Sequence, residues 1–285
     1  MDKLISFSLP LMVSGILQLA FNAVDIIVVG RFSGSQALAA VGSTTALINV
    51  FANLFIGISL GANVLAARFY AAGKDREMSE TVHTSITLAL ISGIMMAVIG
   101  VLLAKWALEI MGTPDDVIGQ SALYMRIYFM GMPFFMLYNY GAAILRAIGD
   151  TKRPLIFLII SGIANAALNM ILVILFHMGV AGVAIGKIIS QLISCVLVLI
   201  CLYRSEGSYQ LRFSKLKING AYMEQIFQVG VPAGIQSTVI NLSKHCRDQY
   251  RQNHTVTQHL IHSFQLTDTI ILTGKTHTCL GDRIH

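Results

Sequence analysis

LISFSLPLMVSGILQLAFNAVDIIVVG, residues 4–30, carries a single ionisable side chain, Asp25. About 20 apolar residues suffice for a helix to cross a ~30 Å hydrocarbon core, so this run is long enough to span a bilayer. Further apolar runs follow at 36–67, 82–110, 120–148, 154–178 and 181–203, and a weaker seventh at 224–243. Across all 285 residues, 55% are hydrophobic and 12% charged, with a mean hydropathy of +0.70, which does not suit a water-facing surface. The fold class is therefore all-α, a polytopic membrane protein. The first run is too long for a signal peptide and has no small-residue cleavage site, so it is expected to remain in the mature protein.

The net charge of +6 does not describe a nucleic-acid surface, because the basic residues lie between the apolar runs and alternate from gap to gap. Lys3, the 68–76 gap (Arg68, Lys74, Arg76), the 146–153 gap (Arg146, Lys152, Arg153) and the 204–217 gap (Arg204, Arg212, Lys215, Lys217) fall on one side, and Arg31 alone on the other. Lys105, near the end of its run, is left out of this comparison. Basic loops stay on the cytoplasmic side, so the N-terminus and the loops at 68–81, 146–153 and 204–223 are expected there. The partners implied are the lipid bilayer and anionic headgroups, with no nucleic acid. Cys195 and Cys201 stand six apart on one expected helix, point to different faces and form no joint metal site.

Small residues and prolines recur within the runs, as in SLPLMVSG and GVAGVAIG, which allows close helix packing and local bending. FQVGVPAGIQSTVIN, from residue 227, echoes FSLPLMVSGILQL, from residue 7, with Pro232 standing 222 residues after Pro10. A repeat of that length marks the start of a second half, and two such halves are the plan of repeat-built secondary transporters. The expected organisation is a six-helix lobe over 1–203, a linker over 204–223, the opening helix of a second lobe over 224–243, and an off-pattern tail over 244–285.

LRAIGDTKRPLI (145–156) and GVAGVAIGKIISQ (179–191) resemble the multidrug and toxic compound extrusion (MATE) family, in particular its DinF-like branch. SLGANVLAARFYAAGKD (59–75) and FNAVDIIVVGRFSGSQALAAVG (21–42) are similar to the same family's second-helix end and first hairpin. The resemblance covers residues 1–243 almost continuously and none of 244–285. It implies the N-terminal half of a twelve-helix antiporter, expected as a monomer in the bacterial plasma membrane. Such a protein exports organic cations and other drug-like amphiphiles in exchange for Na+ or H+ and needs no cofactor.

An ionisable group at bilayer depth costs roughly 2.5–3.5 kcal/mol on insertion scales and belongs on an interior face. Asp25 and Lys187 are read as two such groups, both in the outer half of the membrane. Asn165 and Asn169, one turn apart, share a helix face at similar depth. A carboxylate with amide oxygens suits a Na+ site or a proton-exchange site. By the resemblance, Asp25 matches the family's first-helix acid and Asn165 its fifth-helix amide. Asn169 stands where many members have an acid, and Lys187 where a small hydroxyl residue is usual. An ammonium beside Asp25 repels Na+ and holds the carboxylate ionised, so the site reads as altered. The plainer readings are a Lys187 stem that snorkels outward and an asparagine pair that only packs helices.

Asp150 is expected to cap the fifth span, and His83 and His177 to be interfacial. No HExxH, paired catalytic aspartates or serine with a convergent histidine occurs in 1–243, so an enzyme is not expected. The alternatives are a lipid-linked-precursor flippase of the same superfamily and a membrane fragment that transports nothing. Residues 244–285 hold six of the eight histidines and no Ala or Met. That pattern suggests a reading-frame change giving a disordered tail and a truncated, inactive product, rather than a zinc site at Cys246, His254, His259 and His262.

Overall fold

A computed structural model describes residues 2–240 and positions 243 and 247. The off-pattern tail, with Cys246, His254, His259 and His262, lies outside the described residues apart from position 247. The chain divides into two units, Met1–Thr238 and Val239–His285. No strand occurs among the described residues.

Helix α1 (Asp2–Phe32) is followed by α2 (Gly34–Ala71) and α3 (Asp75–Ile110). Next come α4 (Asp115–Met130), α5 (Met132–Ala147), α6 (Lys152–Met170) and α7 (Gly179–Arg204), and a last helix, α8, is described over 220–240. Helices α1, α2, α3, α6 with its continuation to Leu175, and α7 are each long and apolar enough to cross a membrane.

The fourth span, expected as one helix over 120–148, is two helices in succession with a break at Gly131. Pro133 sits in the first turn of α5, where its missing N–H costs nothing, whereas in a continuous helix its ring would meet the carbonyl of Phe129. The fifth span is also irregular. After Met170 the helix widens to a π turn, Ile171–Leu175, with the Phe176 amide donating to the Ile171 carbonyl at 3.2 Å. His177, in a left-handed conformation, turns the chain into α7.

Phe32, Gln120 and His177 line one cavity, which places the α1–α2, α3–α4 and α6–α7 turns at a common end. The loops at 72–74, 148–151 and 205–219 follow the opposite ends of the helices, and Arg68, Arg76, Arg146, Lys152, Arg153 and Arg204 lie within the adjoining helix ends. α2 packs against α1, α3, α4 and α5, while α7 packs against α4, α5 and α6. Large apolar side chains such as Leu19 (71% exposed) and Leu102 (72%) point away from the bundle, as lipid-facing residues do.

α8 meets α2 through glycines on both helices. A Cβ on Gly57 would collide with the backbone of Gly234, one on Gly61 with the Ile226 carbonyl, and one on Gly230 with Ile58. Gly57 with Gly61 and Gly230 with Gly234 are each four apart, so each pair forms one smooth face that lets the backbones touch.

The segment before α8 is folded onto the bundle. Leu211 is fully buried and clusters with Met78, Val82 and Leu202. His83, expected at the interface, is instead 4% exposed. Its Nδ1 lies 2.6 Å from the Ser79 carbonyl and its Nε2 accepts the Arg212 amide at 3.1 Å. The ring must therefore carry its proton on Nδ1. Asn219 fastens the other end, its amide donating to Thr84 Oγ1 (3.3 Å) and its side-chain Nδ2 to Glu80 Oε2 (2.8 Å). Its Oδ1 accepts from the Ala221 amide and so caps α8.

Candidate functional site

The structure brings Asp25, Asn165, Asn169 and Lys187 together where α1, α6 and α7 converge. On α1, Asn22 and Asp25 are three apart and share a face. On α6, Asn165 and Asn169 are four apart, and α7 supplies Lys187. Asp25 is 8% exposed and both asparagines are buried.

Both carboxylate oxygens of Asp25 are engaged. Asn169 Nδ2 donates to Oδ1 at 2.6 Å, and Lys187 Nζ donates to Oδ2 at 3.1 Å. The same ammonium donates to Asn22 Oδ1 at 3.2 Å. Lys187 thus turns inward to pair with Asp25 rather than running out to the interface. Its charge sits between a carboxylate and an amide oxygen. Asn169 ties α6 to α1 by donating to the carboxylate directly.

Two polar atoms are left over. Asn165 Nδ2 and Asn169 Oδ1 are buried with no hydrogen-bond partner, although Asn169 Nδ2 lies 3.5 Å from Asn165 Oδ1. Asn169 Oδ1 faces Gly186, the residue before Lys187, and a Cβ there would collide with it. Gly186 therefore sets the α6–α7 approach that delivers Lys187 to Asp25. Beyond Lys187, against Tyr128 and Gln191, the free space is about 10 Å³, room for roughly one water and too little for a hydrated ion.

Asn22 was missing from the sequence-derived set, although its spacing from Asp25 on an expected helix was the available signal. Arg126 was also passed over. It lies within α4, in the expected 120–148 span, and is exposed with no ion pair among the described residues. Tyr124, Met125 and Phe129 make the buried face of α4, and Arg126 lies off it, away from Asp25 and its partners.

At the opposite end, Asp150 Oδ1 accepts the Arg153 amide at 3.1 Å and Oδ2 pairs with Arg153 Nε at 3.2 Å, so it caps α6 as expected. Cys195 and Cys201 are free thiols, and no group of metal-ligating side chains occurs among the described residues.

The MatE family model matches residues 10–171. "Probable multidrug resistance protein YoeA" of Bacillus subtilis is 33% identical over 247 residues, covering 84% of this chain and 53% of that protein. "Multidrug export protein MepA" of Staphylococcus haemolyticus is 28% identical, covering 83% and 54%. The chain spans about half the length of the curated relatives it matches. Among solved structures, an outward-facing conformation of a multidrug resistance MATE family transporter superposes with a TM-score of 0.79 at 21% identity, covering 85% of this chain and 54% of that one. An inward-facing conformation superposes at 0.72 and 21% identity, covering 78% and 50%.

Proposed function

The chain belongs to the MATE family of multi-pass membrane transporters, and from that premise we propose that it is the first half of a proton-coupled exporter of drug-like small molecules. The bacterial plasma membrane is the expected location, with the basic loops and the N-terminus on the cytoplasmic side. The names of the relatives support the multidrug substrate class. The observation that favours protons over Na+ is the place of Lys187 Nζ between Asp25 Oδ2 and Asn22 Oδ1. A Na+ ion there would have to displace a tethered cation, at unfavourable charge repulsion.

In this reading the Asp25–Lys187 pair ties α1 to α7 while the carboxylate is ionised. A proton reaches Asp25 only in competition with the Lys187 ammonium, which favours the ionised carboxylate; once bound it removes the charge attraction and loosens α1, and its loss restores the tie. The cycle thereby gives the bundle two states that a proton gradient can bias. Residues 1–240 hold the first half of the repeat and the opening helix of the second. Export on this reading needs both halves, because a site between them has two walls.

The test is drug accumulation in efflux-deficient cells producing this protein together with a second half. Asp25→Asn keeps the side-chain shape and an oxygen acceptor for Lys187 while removing the titration, so it should abolish pH-gradient-driven export when compared at matched membrane abundance. Normal export by that variant would exclude Asp25 as the coupling group. Export driven by a Na+ gradient alone would exclude the proton reading.

A further inference from the structure

We propose that the groove between the start of α3 and the segment 212–220 holds the phosphate headgroup of an anionic phospholipid. The groove encloses about 790 Å³ and is lined by Arg76, Ser79, His83, Ser214, Lys215 and Lys217, with Glu80 as its carboxylate. Lys215 and Lys217 are exposed and lie between two fixed points, the Arg212 amide on His83 and Asn219 on Thr84 and Glu80. A single 3-10 turn, Phe213–Lys215, follows the first of these points directly. The lysines are thus presented from a folded segment over a cavity, not from a free tail.

Charge points to an anion. Glu80 already accepts from Arg76 Nε (3.2 Å) and from Asn219, which leaves the two ammonium groups without a carboxylate among the described residues. The hydroxyls of Ser79 and Ser214 add neutral donors.

The surroundings point to a lipid rather than free phosphate. Phe213 (55% exposed) and Ile218 (43%) bracket the lysines as outward apolar side chains on a loop. Phe213 stacks on the exposed Tyr203 at the end of α7, ring centres 5.9 Å apart, an aromatic pair of the kind found at membrane interfaces. The first large outward apolar residue of α3 is Leu90, roughly 9 Å along the helix from Thr84. The groove therefore lies just beyond the hydrocarbon zone, where headgroups are.

The test is native mass spectrometry of the purified chain taken from nanodiscs of phosphatidylcholine containing a minor fraction of phosphatidylglycerol. The wild type should retain phosphatidylglycerol selectively. Lys215→Gln and Lys217→Gln should each weaken retention about fivefold, and together roughly twenty-five-fold. Both side chains are exposed, so the variants should fold. Phe213→Ser with Ile218→Ser should also weaken lipid retention while leaving any binding of inorganic phosphate unchanged. Equal retention of both lipids, or no effect of the lysine variants, would overturn the site. Displacement of the lipid by millimolar inorganic phosphate would overturn the lipid assignment in favour of a soluble anion. None of these readouts depends on transport.

Discussion

Lys187 Nζ stands 3.1 Å from Asp25 Oδ2, joining two helices whose residues are 162 positions apart, and 3.2 Å from Asn22 Oδ1. Oppositely charged groups in a low-dielectric interior compensate each other's desolvation, and removing one partner of a buried pair typically costs about 3–5 kcal/mol. Lys187→Thr should therefore destabilise the bundle and vacate a cation position beside Asp25. Thermal unfolding of that variant should shift upward with NaCl more than with an equal concentration of choline chloride, because a ligand that binds only the folded state stabilises it by mass action. The wild type should show no such difference. A salt response identical in both proteins would mean that Lys187 does not stand in for an ion.

Gly186→Ala offers an independent check on the same site. The added methyl meets Asn169 Oδ1, so either the amide turns away and gives up its bond to Asp25 or α6 and α7 separate. Overpacking of this kind costs typically 1–3 kcal/mol. A measured loss under about 0.5 kcal/mol would show that the contact is looser than described.

The glycine contact between α2 and α8 makes a contrast within one helix. Gly61→Leu pushes a side chain into the Ile226 carbonyl and the Gly230 backbone, neither of which can rotate away. At Gly42, which is exposed, an added Cβ meets nothing within 4 Å, so Gly42→Leu has open space at its first atom. The first should lower the midpoint of thermal unfolding and expose Tyr222, whose ring packs edge-on to Phe69 at 5.6 Å. The second should leave both unchanged. Similar behaviour of the two variants would argue against the close crossing.

His83→Gln should keep the 205–219 segment in place, since an amide supplies one donor and one acceptor as the imidazole does, whereas His83→Leu leaves the Arg212 amide without its acceptor. Loss of an intramolecular hydrogen bond of this kind costs about 0.5–1.5 kcal/mol. Trypsin cleavage after Arg212 should be faster in the leucine variant than in the wild type or the glutamine variant. Equal cleavage in all three would remove His83 as the fastening point.

Orientation is open to a labelling experiment. On the charge-derived topology, cysteines placed at Ser35 and Asp116 should react with an impermeant thiol reagent in intact cells, and one at Ser79 should not. Reaction at Ser79 alone would invert the assignment.

The apolar runs determined the helical membrane class, because crossing a hydrocarbon layer imposes length and composition on each segment separately. Asp25, Asn165, Asn169 and Lys187 could be picked out for the same reason: each is polar where the run demands apolar residues. What those residues do to one another was decided by the tertiary structure. Lys187 fits either an outward-snorkelling or an inward-paired reading until Gly186 brings α7 against Asn169, and Asn22 gains importance only once the ammonium lies across from it. The break at Gly131, the burial of His83 and the groove under Lys215 and Lys217 are equally absent from any one-helix reading. They arise where two segments distant in sequence compete for the same space, and a local pattern holds no information about the segment it will meet.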